Sequence, residues 1–164
     1  MKKVGLIMGS DSDWPVLESG VALLKEFGIP VDVQVASAHR TPELVKQFVE
    51  EAPSRGIAVI IAAAGAAAHL PGVIAGYTTL PVIGVPIAST SLQGMDALLS
   101  IAQMPPGIPV GTMAVDGGKN AALYAASILA LSDEKIHEAL QKFRKDQAEQ
   151  VAQKHEAIQA KIAK

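Results

Sequence analysis

Few residues of this chain are suited to moving protons and gripping anions, and they fall in short clusters. His39 and Arg40 stand side by side in "VQVASAHRTPELV", and His69 closes the small-residue run "AAAGAAAHLPG". An imidazole both gives and takes a proton near neutral pH. A guanidinium offers a planar, permanently charged fork to a phosphate or carboxylate. A third stretch, "GSDSDW" at 9–14, mixes hydroxyls with carboxylates. Hydroxyls and the free N–H groups of a helix start suit a phosphate, and a carboxylate suits ribose hydroxyls. The small residues before His69 would let a ligand approach the backbone closely.

Each stretch also has a plain structural reading. Ser12 or Asp13 could cap a helix, His39 and Arg40 could be an exposed pair before a Thr41 cap, and His69 could be a satisfied structural histidine. One at a time, the residues leave both readings open. Other chemistries are excluded more firmly. "GSDSDW" is no P-loop, since no Gly-Lys-Ser/Thr follows, and no dinucleotide fingerprint, since further glycines are missing. With Cys 0, disulfides, thiolate metal sites and cysteine nucleophiles are impossible. No His-x-x-x-His pair occurs and no carboxylate lies in 64–72, so no metal is expected. His137 and His155 fall in a polar C-terminal segment and read as surface residues.

The elements that must carry these clusters follow from hydropathy patterning. "KVGLIM" (3–8) reads as a buried strand. The helix of 15–27 has apolar residues at Leu17, Val21, Leu24 and Phe27 and stops at Gly28. Val31, Val33 and Val35 alternate with polar residues, which predicts a half-exposed strand at a sheet edge. Thr41-Pro42 starts a helix as N-cap and first-turn proline, ended by Arg55-Gly56. "IAVIIAA" (57–63) is continuously apolar, as a central parallel strand requires. A short helix near Pro71, strands at 81–86 and 110–115, and helices at 92–102 and from "DGGKN" to Leu131 complete the alternation. Ser132 would cap a long final helix with Ile136, Leu140, Phe143, Val151, Ile158 and Ile162 roughly on one stripe.

Five strand–helix alternations predict an α/β fold of three layers. The expected sheet is parallel, five-stranded and flavodoxin-like, with order 2-1-3-4-5. The chain reads as a single domain over 1–164, with an α/β core in 1–131 and a C-terminal helical extension in 132–164. Ligands bind such a sheet beyond the carboxyl ends of its strands. All three clusters follow a strand and therefore share one rim.

Bulk composition agrees. A net charge of −2 argues against a nucleic-acid partner. No apolar run is long enough for a signal-peptide core or a membrane span, so a soluble cytoplasmic protein is expected. Hydrophobic residues reach 49% with only 18% charged, more apolar surface than a small monomer needs, which points to a homo-oligomer.

Together "MGSDSDW", "SAHRTP", "AHLPG" and "SIAQMPPGIPVGT" resemble the class I 5-(carboxyamino)imidazole ribonucleotide mutases of purine (IMP) biosynthesis, in order and at matching spacing over roughly 4–131. The resemblance implies a homo-octamer with no metal or organic cofactor. The implied reaction moves a carboxylate from the exocyclic nitrogen of an aminoimidazole ribonucleotide to ring carbon 4. It assigns proton transfer to His39. Substrate contacts fall on Ser10, Ser12, Asp13, Ser37 and Arg40, and Gly65, Ala66, His69 and Leu70 lie over the aminoimidazole and migrating carboxylate. Gln103 to Pro105 would border the site of a neighbouring subunit.

The chain departs from the family's usual "AGAGGAAHLPG" at Ala63 and Ala66. If either position needs positive φ, its Cβ costs on the order of 1–2 kcal/mol. The loop after strand 5, "DGGKNAAL", also differs. Three other readings compete. The related class II carboxylases, which use free carbon dioxide, typically carry lysine after the histidine and lack "AHLPG", whereas this chain has Arg40 and an intact His69–Gly72. A flavodoxin-like binding module for flavin would want more than 4% aromatic residues, and a phospho-receiver would want an aspartate at the end of strand 3. An inactive oligomeric scaffold is the third.

Overall fold

The structure is a computed structural model, and it describes residues 2–163. Its strands are β1 (Lys3–Met8), β2 (Val31–Val35), β3 (Ile57–Gly65), β4 (Val82–Ile87) and β5 (Gly111–Thr112). Its helices are α1 (Trp14–Glu26), α2 (Pro42–Glu51), α3 (Leu70–Tyr77), α4 (Met95–Ala102), α5 (Gly118–Ala130) and α6 (Glu134–Ile162). The sheet order is β2-β1-β3-β4-β5 and every pairing is parallel, as the alternation predicts.

The pleat explains why β3 is apolar throughout. Val59, Ile61 and Ala63 point into one core with Leu17, Leu24, Ala122 and Leu129 of α1 and α5. Ile60, Ala62 and Ala64 point into the other with Val45, Phe48, Ile74 and Ile101 of α2, α3 and α4. Successive side chains alternate between faces, so a strand covered on both sides has no position for a polar residue. On the first face α1 and α5 approach backbone to backbone. A Cβ on Gly20 would stand 2.7 Å from the Gly118 carbonyl oxygen. A Cβ on Gly118 would in turn overlap the Val16 carbonyl oxygen, and that contact seats the start of α1, and with it the loop after β1.

Three elements differ from expectation, α2 at both ends. β5 is two residues long, not six. Met113 N–H still donates to the Gly84 carbonyl, but the next ladder donor on β4 would be Pro86, which has no N–H. The α2 helix stops at Glu51, before Pro53, and a turn carries the chain to Gly56 at φ +79°. Thr41 holds the N-cap position of α2, but its hydroxyl makes no cap. The cap of α6 is Asp133, whose carboxylate accepts from the N–H groups of Lys135 (3.1 Å) and Ile136 (3.4 Å). Ser132 is occupied elsewhere: its hydroxyl donates to Leu129 O and accepts from Lys2 Nζ.

Two apolar sets stay open. β2 is an edge strand as its alternation predicts, yet Val33 and Val35 are 43% and 47% exposed because α1 packs chiefly on α5. In α6, Ile136 is buried and Phe143 meets the Phe27 ring edge-on at 5.9 Å, while Val151, Ile158 and Ile162 are exposed. Among the described residues no helix is long and apolar enough to cross a membrane.

Candidate active site

The loops after β1, β2 and β3 converge on one cleft of about 320 Å³. Each is tied down by its own polar side chains. In the first loop the Ser10 hydroxyl accepts from Ser12 N–H at 3.3 Å and from the Ser12 hydroxyl at 2.8 Å, capping a single 3₁₀ turn. Asp13 takes the N-cap position of α1 without capping it. It is the one buried charged residue among those described. Desolvation raises its pKa, hydrogen bonds from the Ser10 backbone and the Ser12 side chain offset part of this, and Asp11 pushes the same way as burial.

The second loop is knotted by Thr41 and Ser37. The Thr41 hydroxyl accepts from Ser37 N–H (2.8 Å) and donates to Ser37 O (3.2 Å), which is why it is not free to cap α2. The Ser37 hydroxyl accepts from the N–H groups of His39 (3.3 Å) and Arg40 (3.2 Å), leaving its own proton free to donate. Arg40 Nη2 donates to Gly9 O at 3.1 Å and so ties this loop to the first.

The third loop turns sharply through Ala66 at φ +54°. Its neighbour Gly65 has no room for a side chain: a Cβ there would overlap Ser89 of the loop after β4. His69 takes the N-cap position of α3. Its Nδ1 lies 2.8 Å from His39 Nε2, with the two rings nearly perpendicular at 83°. The two histidines expected on one rim are therefore hydrogen-bonded to each other.

Ser10, Ser12, Asp13, Ser37, His39, Arg40, Gly65, His69 and Leu70 all line the cleft. Leu70 does so while remaining 2% exposed. Ala66 does not line it; its part is to turn the loop. Gln103 to Pro105 do not line the cleft of their own chain, and Met104 packs against Gly72 instead. Gly9, Ala38, Ala64, Ala67 and Ser89 line the cleft without having been singled out in the sequence. Ser89 was findable, since it follows β4 on the same rim, but a lone serine in "ASTS" carries no distinguishing pattern.

Among the described residues no group of three or more His, Asp or Glu stands close enough to hold a metal ion. What the cleft does offer is a permanent cation, a buried carboxyl, four hydroxyls, the N-terminal ends of α1 and α3, and a pair of imidazoles. That set is chemically suited to gripping an anionic, hydroxylated ligand and to moving a proton on it.

A sequence profile of the AIR carboxylase family matches residues 3–150. The chain belongs to this family. It is 53% identical over 156 residues to the N5-carboxyaminoimidazole ribonucleotide mutase of Pyrococcus horikoshii, covering 95% of this chain and 88% of that one. With the mutase of the same name from Pseudomonas aeruginosa the identity is 55% over 150 residues, 90% of this chain and 92% of that one. Among solved structures, Treponema denticola PurE superposes with a TM-score of 0.84 at 32% identity, covering 93% of this chain and 96% of that one. The departures at Ala63 and Ala66 thus sit in a chain that otherwise keeps the family's length and fold. They are unequal. Ala66 takes the positive φ that a glycine would adopt freely, whereas Ala63 lies within β3, fully buried in the α1–α5 core.

Proposed function

We infer that this chain is a 5-(carboxyamino)imidazole ribonucleotide mutase, an isomerase that makes 4-carboxy-5-aminoimidazole ribonucleotide. The observation that carries this reading is the meeting of His39, His69, Arg40 and Asp13 in one cleft, in a chain about half identical to enzymes bearing that name.

Protonated His39 gives its proton to the exocyclic nitrogen as the carbon–nitrogen bond breaks and carbon dioxide leaves. Ring carbon 4 then attacks the trapped carbon dioxide, and neutral His39 removes the proton from that carbon. No proton is gained or lost overall, and one group serves as acid and then as base. Arg40, Ser10, Ser12, Ser37 and Asp13 hold the ribonucleotide. Small residues at Gly65 and Ala67 let the ring lie close to the backbone, which keeps carbon dioxide from escaping.

The working protein is a cytoplasmic homo-octamer. The open valines of β2 and the open stripe of α6 support an assembly that covers them. An ultraviolet assay tests the activity. Product should form from the carboxyamino substrate without added bicarbonate; turnover only from aminoimidazole ribonucleotide with bicarbonate would make the chain a class II carboxylase, and no turnover from either a scaffold. His39→Asn should lower turnover by about 100- to 10,000-fold, the usual worth of positioned proton transfer. Near-wild-type rates for that variant would remove His39 from the mechanism.

A further inference from the structure

We propose that His69 is a positioning residue for His39, fixing which nitrogen of the His39 ring carries its proton. The kinetic consequence rests on the mutase reading above; the pairing itself does not.

His39 Nε2 and His69 Nδ1 are 2.8 Å apart. At that distance two N–H groups cannot face each other, and two bare lone pairs repel. The bridge therefore holds one proton. A neutral pair has two arrangements. In one, His39 Nε2–H donates, so His39 Nδ1 is bare and His69 keeps its proton on Nε2. In the other, His69 Nδ1–H donates, so His39 carries its proton on Nδ1 and His69 Nε2 is bare. Only the first leaves a bare nitrogen on neutral His39 outside the bridge, which the base step requires, so the tautomer assigned to His39 is the one protonated on Nε2 and held by His69. An exposed imidazole without a partner has no such constraint, and both its tautomer and its ring orientation wander.

The mounting of the two rings supports this role. His69 sits at the start of α3, with its N–H bonded to Ala67 O at 2.8 Å. His39 sits in the loop knotted by Ser37 and Thr41, with its N–H on the Ser37 hydroxyl. Each ring is thus anchored by a separate piece of backbone, and the bridge joins the loops after β2 and β3. Asp13 and Arg40 are the other ionisable groups lining the cleft. Among the described residues neither bonds the His39 ring, and His69 is its one hydrogen-bond partner.

The test uses the full chain labelled with ¹⁵N-histidine and read by two-bond ¹⁵N–¹H correlation, alongside steady-state kinetics. Three variants separate the possibilities. His69→Phe keeps a ring and removes the bridge. His69→Asn puts an amide where Nδ1 was. His69→Gln puts its amide where Nε2 was and should not restore the bridge. In the wild type, His39 should show a single tautomer. In His69→Phe and His69→Gln it should show a mixture on a released ring, with kcat lower by about 100-fold because the ring leaves its working geometry, and KM little changed. In His69→Asn the single tautomer should return, with kcat within about tenfold of wild type.

A His39 tautomer that stays single in both the Phe and Gln variants would overturn the proposal. So would a loss of equal size in all three variants, or a rise in KM at unchanged kcat, which would mark a substrate contact only. If His69→Phe does not fold, the Gln and Asn variants make the same comparison. If the wild-type protein lacks mutase activity, that sinks the functional reading alone, and the tautomer measurement still decides the pairing.

Discussion

The Asp13 carboxyl is buried at the first turn of α1, and desolvation raises its pKa above the ordinary 3.8. A carboxyl whose folded pKa is raised binds its proton longer folded than unfolded, so it weakens the fold as pH rises through that window. The penalty is absent below the ordinary 3.8 and grows as pH rises above it. Asp13→Asn keeps an oxygen to accept from Ser10 and Ser12 and removes the charge. The ligand-free variant should therefore melt higher than wild type at pH 7, with the difference fading toward pH 4, while binding the ribonucleotide more weakly. An equal or lower melting midpoint at pH 7 would show that Asp13 stabilises the empty cleft. Ala66 poses a related question through its backbone. Its φ of +54° costs about 1–2 kcal/mol for a residue with a Cβ. Glycine would relieve that but adds about 0.4–1 kcal/mol of unfolded-state freedom. Ala66→Gly should stabilise by about 1 kcal/mol, raising the midpoint by roughly 2–4 °C, as differential scanning calorimetry would register. A drop would mean the methyl group makes contacts worth more than the strain.

At the scale of elements, α6 illustrates how local chemistry competes. Asp133 accepts from two backbone N–H groups at the start of this 29-residue helix. Asp133→Ala should cost about 1 kcal/mol, a fall of roughly 2–4 °C in melting midpoint. Ser132→Ala should cost less, since that hydroxyl caps nothing. Equal losses would put the cap back on Ser132. Both residues are good caps by type, so the sequence could not choose between them; Lys2, 130 positions away, takes the Ser132 hydroxyl. The same limit appears elsewhere. The strand–helix alternation was legible because it follows from apolar periodicity, which is local, and the strand order and common rim of the three loops follow from it only through the doubly wound topology. The brevity of β5 depends on Pro86 meeting it across the sheet. The Thr41 hydroxyl turned back to Ser37 because the loop closes on itself. The His39–His69 bond joins residues 30 apart in sequence, and no spacing rule announces such a pair. Ala66 could be flagged as a departure from the family's glycine, but only the backbone shows that it turns the loop.

For the whole molecule, the outer half of α6 raises the sharpest question. From residue 147 onward every described side chain is exposed, and Val151, Ile158 and Ile162 are 66%, 52% and 72% accessible. These positions recur at helical spacing and continue the stripe that Ile136, Leu140 and Phe143 bury against the chain's own core. A helix of about 17 residues standing alone in water is marginal, and a solvated one gains nothing from aligned valine and isoleucine. Burying such a side chain fully contributes about 1.5–3 kcal/mol. If neighbouring subunits cover the stripe, light scattering should give a mass near eight chains. The double variant Val151→Glu/Ile158→Glu should then reduce that mass and lose helical ellipticity at 222 nm as the released segment frays. If instead the segment is a free solvated helix, the same substitutions swap two β-branched residues for a better helix former. Ellipticity would then hold or rise, and the mass would not change. An unchanged mass would exclude α6 from the interface and leave the open face of β2 to explain the assembly.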